Sequence, residues 1–283
     1  MKSIVVTGAS TGIGWGTCKV LIQKGFRVFG SVRKEADAAR LSAEFGANFV
    51  PLLFDVTDAA AVKAGAAKVE AMLGGETLAG LVNNAGIAVA GPLLHLDIDE
   101  LRKQLEVNIT GQVIVTQAFA PLLGADPDRK GAKGRIVMIS SVGGTNANPF
   151  MGPYNASKFG IEGLSESLRR ELMIHGSDVV IVAPGAVATP IWEKAEDIDI
   201  ARYANTVYAP ALDRVLAYML GVGKKGLKPE VLGEAVWKAL TVRKPKTRYV
   251  VTPDKLEHFL VNYLPKRVVD NMIAGRLGLK PKA

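Results

Sequence analysis

The feature that most constrains the fold of this chain is a regular alternation between short apolar runs and longer segments with helical periodicity. Seven runs rich in aliphatic and β-branched residues predict strands, at Ile4–Thr7, Arg27–Ser31, Phe49–Phe54, Ala79–Asn83, Arg135–Ser140, Val179–Ala183 and Arg248–Val251. Six segments between them predict helices, at Trp15–Lys24, Lys34–Phe45, Ala59–Leu73, Ile98–Leu123, Tyr154–Ile174 and Pro229–Leu240. Because the strands are almost continuously apolar, we expect them to be parallel and covered by helices on both faces. The pattern predicts a single α/β domain over residues 1–283, with a doubly wound parallel sheet of about seven strands.

Residues 190–226 interrupt this alternation and predict an insertion that covers a substrate site. Its apolar and aromatic side chains suit a lid over a hydrophobic ligand, although a helix pair that buries a core stripe fits the same spacing. These side chains are Ile191, Trp192, Tyr203, Tyr208, Leu212, Leu216, Tyr218 and Met219. We expect the segment between Ser141 and Tyr154 to contribute to substrate choice as well.

The composition excludes several classes of protein and site. Of the 283 residues, 48% are hydrophobic and 22% are charged, as in an ordinary globular protein. The single cysteine, Cys18, excludes a disulfide within the chain, and the three histidines are scattered, so we expect no metal site. A glycine motif follows the first strand at once and leaves no room for a signal peptide, and no uncharged stretch has the character of a membrane span. We therefore expect a cytoplasmic protein.

The positive charge of the chain is concentrated near its C-terminus. The formal net charge is +8, and the last 60 residues alone contain 14 basic and 5 acidic residues. Residues 253–283 predict a basic helical extension, with Asp254 and Glu257 as a capping pair and apolar residues at helical spacing until Pro265 and again until Gly275. This extension could meet a membrane peripherally, pack on the domain or on a partner, or be solvated. No nucleic-acid-binding module accompanies the charge, so we expect no nucleic-acid partner.

A glycine-rich turn at the end of the first strand predicts a dinucleotide site. The glycines let the backbone turn tightly and let a pyrophosphate approach the amides at the start of the next helix. The residues expected to bind it are Gly8, Ser10, Thr11, Gly12, Ile13 and Gly14. In this position the motif indicates a Rossmann-type domain, the alternative being a glycine turn without a ligand.

The end of the second strand favours NADP(H) over NAD(H). An acidic residue at this position would accept from the ribose 2′-hydroxyl of NAD, whereas an arginine would pair with the 2′-phosphate of NADP. The chain has no acidic residue there but has Arg33, followed by Lys34. The alternative is a solvent-facing basic pair at the start of a helix.

A tyrosine and a lysine near the start of a predicted helix provide candidate acid–base chemistry. Tyr154 and Lys158 are four residues apart and share a helix face, and Ser141 follows the preceding strand. A lysine charge favours the phenolate and is expected to lower the tyrosine pKa, which makes Tyr154 a candidate general acid or base.

These motifs together resemble the short-chain dehydrogenase/reductase family over essentially the whole chain. The matching residues, in order, are Thr7-Gly8-x3-Gly12-x-Gly14, Asp55-Val56, Asn83-Asn84-Ala85-Gly86, Asn108, Ser141, Tyr154-x3-Lys158 and Pro184-Gly185. The sequence around Ser165–Leu172 and the long C-terminal extension are similar to those of the retinol and hydroxysteroid dehydrogenase-like branch.

The resemblance implies a role for each matching residue. Tyr154 would exchange a proton with the substrate oxygen, Lys158 would hold the nicotinamide ribose, and Ser141 would hydrogen-bond the substrate. Asn108 would interrupt its helix and position a water that links Lys158 to solvent. The other implied cofactor contacts are Asp55 and Val56 at the adenine, Asn83, Ala85 and Gly86 along the adenosine, and Pro184, Gly185, Val187 and Thr189 at the nicotinamide. The family also implies a homodimer or homotetramer.

Together these features predict an NADP(H)-dependent oxidoreductase that interconverts a hydrophobic secondary alcohol and ketone, or an alcohol and aldehyde. Two alternatives stay open at this point. One is a non-catalytic redox sensor that binds the dinucleotide, and the other is an acyl-thioester ketoreductase.

Overall fold

The apolar runs form the parallel sheet that the sequence predicts. A computed structural model describes residues 1–189, 200–224 and 226–281. In this part of the chain seven strands pair in parallel in the order β3-β2-β1-β4-β5-β6-β7. They are β1 (Ser3–Val6), β2 (Arg27–Val32), β3 (Phe49–Leu53), β4 (Gly80–Asn83), β5 (Arg135–Ile139), β6 (Asp178–Pro184) and β7 (Arg248–Val251). The predicted doubly wound α/β fold is confirmed.

Helices connect the strands and cover both faces of the sheet. Those that follow β1 to β4 are α1 (Gly12–Gln23), α2 (Glu35–Phe45), α3 (Ala59–Leu73), α4 (Ile98–Leu105) and α5 (Gly111–Phe119). Those that follow β5 to β7 are α6 (Gly152–Glu171), α7 (Ala209–Lys224), α8 (Pro229–Thr241), α9 (Lys255–Tyr263) and α10 (Lys266–Leu277). Asp58 starts α3 by accepting hydrogen bonds from the amides of Ala60 and Ala61, each at 3.0 Å, which is the usual function of an aspartate in that position.

Two apolar cores lie on opposite faces of the sheet. One contains Phe29, Leu81 and Ile136 together with Val115 and Phe119 of α5. The other packs residues of α1, α2 and α8 against alternate positions of the same strands. Gly16 of α1 and Gly233 of α8 let these two helices come into backbone contact, since a Cβ on Gly233 would lie 2.7 Å from the carbonyl oxygen of Gly16.

Two predicted helix ends differ from the structure in detail, and one predicted helix is divided where the family resemblance implies an interruption. The helix predicted over residues 98–123 is divided at Glu106–Thr110 by a turn of π-helix, where the extra residue per turn breaks the regular hydrogen bonding. The last helix does not end at Gly275 but continues to Leu277, and Gly278 terminates it in the left-handed conformation. Helix α9 begins after Asp254 as predicted, yet the Asp254 side chain makes no capping hydrogen bond.

The insertion between β6 and α8 contains a regular helix, α7. With the 3-10 turn Ile200–Tyr203 it forms a third, smaller apolar cluster of Phe150, Tyr203, Ala211 and Leu212. Ile191 and Trp192, expected to be part of a lid, lie outside the described residues.

Candidate functional site

The candidate site lies along the carboxyl edge of the sheet. The neighbours of β1 are β2 on one side and β4 on the other, so the chain reverses its direction of travel across the sheet between them. The loops that leave neighbouring strands diverge at such a point and form a crevice in which α/β proteins bind ligands. The predicted glycine loop follows β1, and the other predicted site residues follow β4, β5 and β6 along the same edge.

The glycine loop has the geometry of a phosphate cradle. Gly8 and Gly12 have φ angles of +66° and +58°, a left-handed conformation that side chains disfavour. A Cβ on Gly14 would lie 2.6 Å from the side-chain nitrogen of Asn84, so this position accepts no larger residue without a shift. The residue before α1, Thr11, makes no side-chain capping hydrogen bond, which leaves the first amides of the helix available to an anion. The loop therefore fits the pyrophosphate of a dinucleotide.

The segment after β4 closes over the glycine loop through hydrogen bonds to Thr7. The Thr7 hydroxyl accepts from the amides of Asn84 and Ala85 at 2.9 and 3.0 Å, and the Asn84 side chain donates to the Thr7 carbonyl at 2.8 Å. A Cβ on Gly8 would lie 3.0 Å from the Cα of Ala85. Ala85 thus stands beside the glycine loop, whereas Gly86 lies against the side chain of Asn108. Their contact with the adenosine stays a prediction.

Asn83 does not reach this edge. Its side chain is fully buried and donates to the Thr116 hydroxyl at 2.8 Å and to the sulfur of Met138. A side chain with no accessible surface cannot contact a cofactor, so the expected cofactor contact of Asn83 is not formed. Asn83 instead packs α5 against the sheet.

Arg33 and Asp55 face each other across the ends of β2 and β3. The Arg33 guanidinium lies 3.7 Å from the Asp55 carboxylate, and the Arg33 side chain remains largely exposed. Partial burial favours the neutral acid at Asp55, but hydrogen bonds from Thr57 and the charge of Arg33 outweigh it and hold the pKa of Asp55 below its ordinary value. Asp55 is therefore ionised, and its carboxylate pairs with the exposed Arg33 guanidinium at the end of β2.

Ser141, Tyr154 and Lys158 come together at the end of β5. The Ser141 hydroxyl accepts from the Gly143 amide at 3.0 Å and hydrogen-bonds Tyr154, and the Lys158 ammonium lies 5.7 Å from the centre of the tyrosine ring. Helix α6 places Tyr154 in its first turn and Lys158 one turn later, and the Lys158 ammonium donates to the carbonyl of Ile139 at 2.9 Å. The predicted group of three is thus a real spatial cluster.

Burial perturbs both titrating groups of this cluster. It raises the pKa of the Tyr154 phenol, and the hydrogen bond with Ser141 offsets only part of that rise. It also lowers the pKa of Lys158 to about 8, against the opposing charge of Glu162. The expected lowering of the tyrosine pKa by Lys158 does not appear in this structure, where burial and the hydrogen bond with Ser141 set the shift. At neutral pH the phenol holds its proton and can donate it.

Asn108 lies in the π-turn and holds the loop after β4 against α6. Its side-chain oxygen accepts from the Ile87 amide at 2.9 Å, and its nitrogen donates to the Ile87 carbonyl at 3.1 Å and to the Ser157 hydroxyl at 3.0 Å. The predicted helix interruption at Asn108 is confirmed. Gln104, which sequence reasoning missed, donates to the same carbonyl at 3.0 Å and to Ser157 at 3.2 Å. No local signal distinguishes Gln104 from any other polar residue of an exposed helix.

The segment after β6 approaches the glycine loop from the other side. A Cβ on Gly12 would lie 3.1 Å from the methyl group of Thr189, so Thr189 borders the phosphate cradle. Val187 is buried and bridges to Leu227, and Gly185 follows Pro184 at the end of β6. The structure places this segment along the site edge, as the resemblance implies.

An ion pair that sequence reasoning missed lies directly behind the cluster. Glu162, one turn after Lys158, accepts from the Ser140 hydroxyl at 2.6 Å and from the Arg248 guanidinium at 3.0 Å. Arg248 also donates to the carbonyl of Ser141 at 3.3 Å. The pair joins α6 to the edge strand β7, residues too distant in sequence for a local pattern to connect them.

A small apolar recess is lined by residues of both predicted substrate segments. Phe150, from the segment before α6, meets Tyr203, Leu212 and Met219 there, together with Gly91. Phe150 has a φ of +64°, which is unusual for a bulky residue, and its carbonyl accepts from the Gly91 amide at 2.7 Å. In the described part of residues 190–226, α7 packs a core stripe. That this segment covers a substrate stays a prediction.

Comparisons with known proteins find similar proteins along the whole length of the chain. The model of the family described as short chain dehydrogenase matches residues 2–199. An NADPH-dependent 3-dehydrocapnine reductase from Ornithobacterium rhinotracheale is 40% identical over 273 residues, which is 96% of each chain. Retinol dehydrogenase 5 from Mus musculus is 35% identical over 288 residues, covering 95% of this chain and 87% of that protein. The crystal structure of a short-chain dehydrogenase from Streptomyces avermitilis superposes with a TM-score of 0.76 at 25% identity, covering 99% and 98% of the two chains.

Proposed function

The chain belongs to the short-chain dehydrogenase family, and we propose that it is an NADP(H)-dependent oxidoreductase that interconverts a hydrophobic alcohol with its ketone or aldehyde. The observation that carries the proposal is the cluster of Ser141, Tyr154 and Lys158 beside a glycine loop of phosphate-binding geometry. A sensor that only binds a dinucleotide has no need of a buried acid and a buried lysine at that position.

The chain supplies orientation and a proton. The amides at the start of α1 would hold the pyrophosphate, and Lys158 would bind the nicotinamide ribose. When bound, the reduced nicotinamide supplies the hydride. Ser141 and Tyr154 would both hydrogen-bond the carbonyl oxygen of the substrate, and Tyr154 would give its proton to that oxygen as it becomes a hydroxyl. With its pKa raised, the Tyr154 phenol is protonated at neutral pH and can act as the proton donor in the reductive direction.

The preference for NADP(H) rests on Arg33. Its exposed guanidinium at the end of β2 can pair with a 2′-phosphate, and the ionised Asp55 beside it helps to orient it. The similar protein from Ornithobacterium rhinotracheale is named for its dependence on NADPH, which supports the same choice here.

A hydrophobic substrate is supported by the apolar side chains of Phe150, Tyr203, Leu212 and Met219, which line a small recess. Side chains of this kind next to a site favour an apolar substrate over a charged one. The relatives named for 3-dehydrocapnine and retinol support a hydrophobic carbonyl or alcohol as the substrate class.

The first test is oxidation of NADPH with a panel of hydrophobic ketones and aldehydes, with Tyr154→Phe as the comparison. Loss of the donated proton should lower the turnover number by about 10²–10⁴-fold while NADPH binding, followed by its fluorescence, persists. Equal turnover in the variant would refute the assigned mechanism. Binding of NADPH with no turnover in either direction across the panel would favour the sensor.

Cofactor choice is tested separately with Arg33→Asp. Losing a charged pair with the 2′-phosphate should weaken NADPH binding by about 10–100-fold, because hydrogen bonds to charged groups contribute about 1.5–3 kcal/mol. NADH binding should change little. The matched control is Arg243→Asp, the same charge change in the exposed turn between α8 and β7, at the opposite edge of the sheet. An equal loss for both nucleotides at Arg33→Asp would remove its assigned role.

A further inference from the structure

The outer face of helix α9 is apolar although this face points to solvent. Leu256, Phe259, Leu260 and Tyr263 have exposed fractions of 71%, 55%, 41% and 76%. Their spacing places them on one side of the helix, and the rings of Phe259 and Tyr263 stack at 4.4 Å. A surface helix normally turns such a stripe towards the core. Here the stripe is turned outwards.

Polar residues occupy the inner side of the same helix. His258 and Asn262 are half-buried, and the Asn262 side chain donates to the His258 carbonyl at 2.7 Å. This side, with the half-buried Val261 and Leu264, faces the protein, and burial together with the nearby charge of Arg248 lowers the pKa of His258. Packing on the chain's own domain therefore leaves the outer apolar stripe of α9 exposed.

Basic side chains border the apolar face at both ends. Lys255 is exposed at the start of α9, and Lys266 and Arg267 are exposed in the first turn of α10. Arg267 makes an ion pair with Asp270 at 3.7 Å that leaves its side chain 95% exposed. Two further exposed apolar residues, Val268 and Met272, follow in α10. The face thus combines large apolar side chains with basic residues at both ends, and the exposed Asp254 and Asp270 lie beside Lys255 and Arg267.

We propose that this face, the outer side of α9 with the first turn of α10, docks on an anionic lipid surface. Amphipathic helices that lie in a membrane interface combine aromatic and leucine side chains with lysine and arginine, and anionic headgroups attract the basic residues. A second copy of the chain fits less well, because a two-fold contact through this face would bring the basic residues of one copy towards the basic residues of the other. None of the helices in the described part of the chain is long and apolar enough to cross a membrane, so the contact would be one of the surface alone.

The docking face lies near the candidate site. Strand β7 ends at the carboxyl edge of the sheet, and α9 starts four residues later. The end of α10 is attached to the insertion, since Arg214 of α7 donates to the Leu277 carbonyl at 2.9 Å and Leu279 packs against the cluster around Phe150. The proposal rests on these surface features and is independent of the proposed reaction.

The test is co-sedimentation of the full chain with vesicles. One set contains phosphatidylcholine alone, and the other contains phosphatidylcholine mixed with phosphatidylglycerol. We expect binding to the anionic vesicles that weakens as salt is added. Phe259→Ser/Tyr263→Ser should weaken it at least about tenfold through lost apolar burial, and Lys266→Gln about fivefold through lost charge.

The matched control is Met173→Ser/Ile174→Ser, which removes two apolar side chains with exposed fractions of 72% and 86% before β6, at the amino edge of the sheet. Its binding should equal that of the wild type. No binding to anionic vesicles, equal binding to both vesicle types, or an unaffected Phe259→Ser/Tyr263→Ser variant would overturn the proposal. Light scattering of the same variants tests whether a second copy of the chain occupies the face. If the α9 double variant changes a larger assembly into a smaller one, a second copy covers the face instead of a lipid surface.

Discussion

Replacing Glu162 by glutamine tests how much the ion pair next to the candidate site contributes to the stability of the protein and to the charge of Lys158. The carboxylate joins three groups: the Ser140 hydroxyl at 2.6 Å, the Arg248 guanidinium at 3.0 Å and, through its charge, the buried Lys158 one turn earlier. Glutamine has the same shape and keeps one acceptor oxygen, but it leaves Arg248 without its counter-charge.

The expected loss of stability follows from burial. Two unit charges at 3.0 Å attract each other by about 5–6 kcal/mol at an effective dielectric constant of about 20, before desolvation is subtracted. Removing one partner of a fully buried pair costs about 3–5 kcal/mol. The Glu162 and Arg248 side chains keep 16% and 22% of their surface in contact with solvent, and glutamine still accepts one hydrogen bond. We therefore expect a loss of about 2 kcal/mol, which is a decrease in Tm of about 4 °C for a chain of this length.

The same substitution should lower the pH at which Lys158 loses its proton. The negative charge of Glu162 raises the pKa of Lys158, which burial holds at about 8. Without that charge Lys158 loses its proton at a lower pH. The pH above which NADPH affinity falls, measured by fluorescence titration, should therefore shift downwards in the variant.

The matched control is Glu166→Gln, one turn further along α6. Glu166 pairs with Arg170 at 3.4 Å with both side chains more than half exposed, so its loss should change stability by less than about 0.5 kcal/mol. If Glu162→Gln and Glu166→Gln melt at the same temperature, the reasoning on burial is wrong. A double variant, Glu162→Gln/Arg248→Gln, should lose less than the two single losses combined, because it leaves no unpaired guanidinium.

Other positions give shorter tests. Gly14→Ala places a methyl group against the carbonyl oxygen of Gly8 and should weaken NADPH binding more than tenfold in a fluorescence titration; wild-type affinity would show that the loop has room. Gly163→Ala lies at an exposed helical position with nothing within 4 Å of the new Cβ and should add about 0.5–1 kcal/mol to the free energy of unfolding in urea; destabilisation would indicate that a partner occupies that face. Asp58→Ala should cost about 1 kcal/mol in the same assay, because α3 loses its cap, and no change would remove that role. Lys158 has a pKa of about 8 in the folded chain and an ordinary value of 10.5, so between these values the unfolded chain binds more protons and unfolding free energy rises by about 1.4 kcal/mol per pH unit. Lys158→Met should lack this rise in urea melts taken from pH 8 to pH 10, and an unchanged slope would contradict the lowered pKa.

The pattern of strands and helices was predictable because it depends on local periodicity. A buried parallel strand needs a continuous apolar run, and the runs predicted from the sequence match the strands to within a residue or two at most ends. The glycine loop was predictable for a similar reason, since a tight turn between β1 and α1 admits few residues other than glycine. The interruption near Asn108 was implied only by the family resemblance.

The directions in which side chains point were not predictable in the same way. Asn83 and Asn84 are adjacent, yet Asn83 is buried against Thr116 while Asn84 holds the glycine loop. Which of the two faces the site depends on how β4 lies between its neighbours. The pKa of Tyr154 was expected to fall because of Lys158, but burial raises it, and burial is a property of the packed molecule.

The elements, the site edge and the residues that follow each strand can be predicted from the sequence, because they depend on spacing along the chain. Which distant groups meet depends on the packing of the whole molecule. Glu162 and Arg248 form one ion pair across 86 positions, and α9 turns its apolar stripe away from the core. Both depend on the placement of α6, β7 and α9 around the sheet, and no local pattern in the sequence encodes that placement.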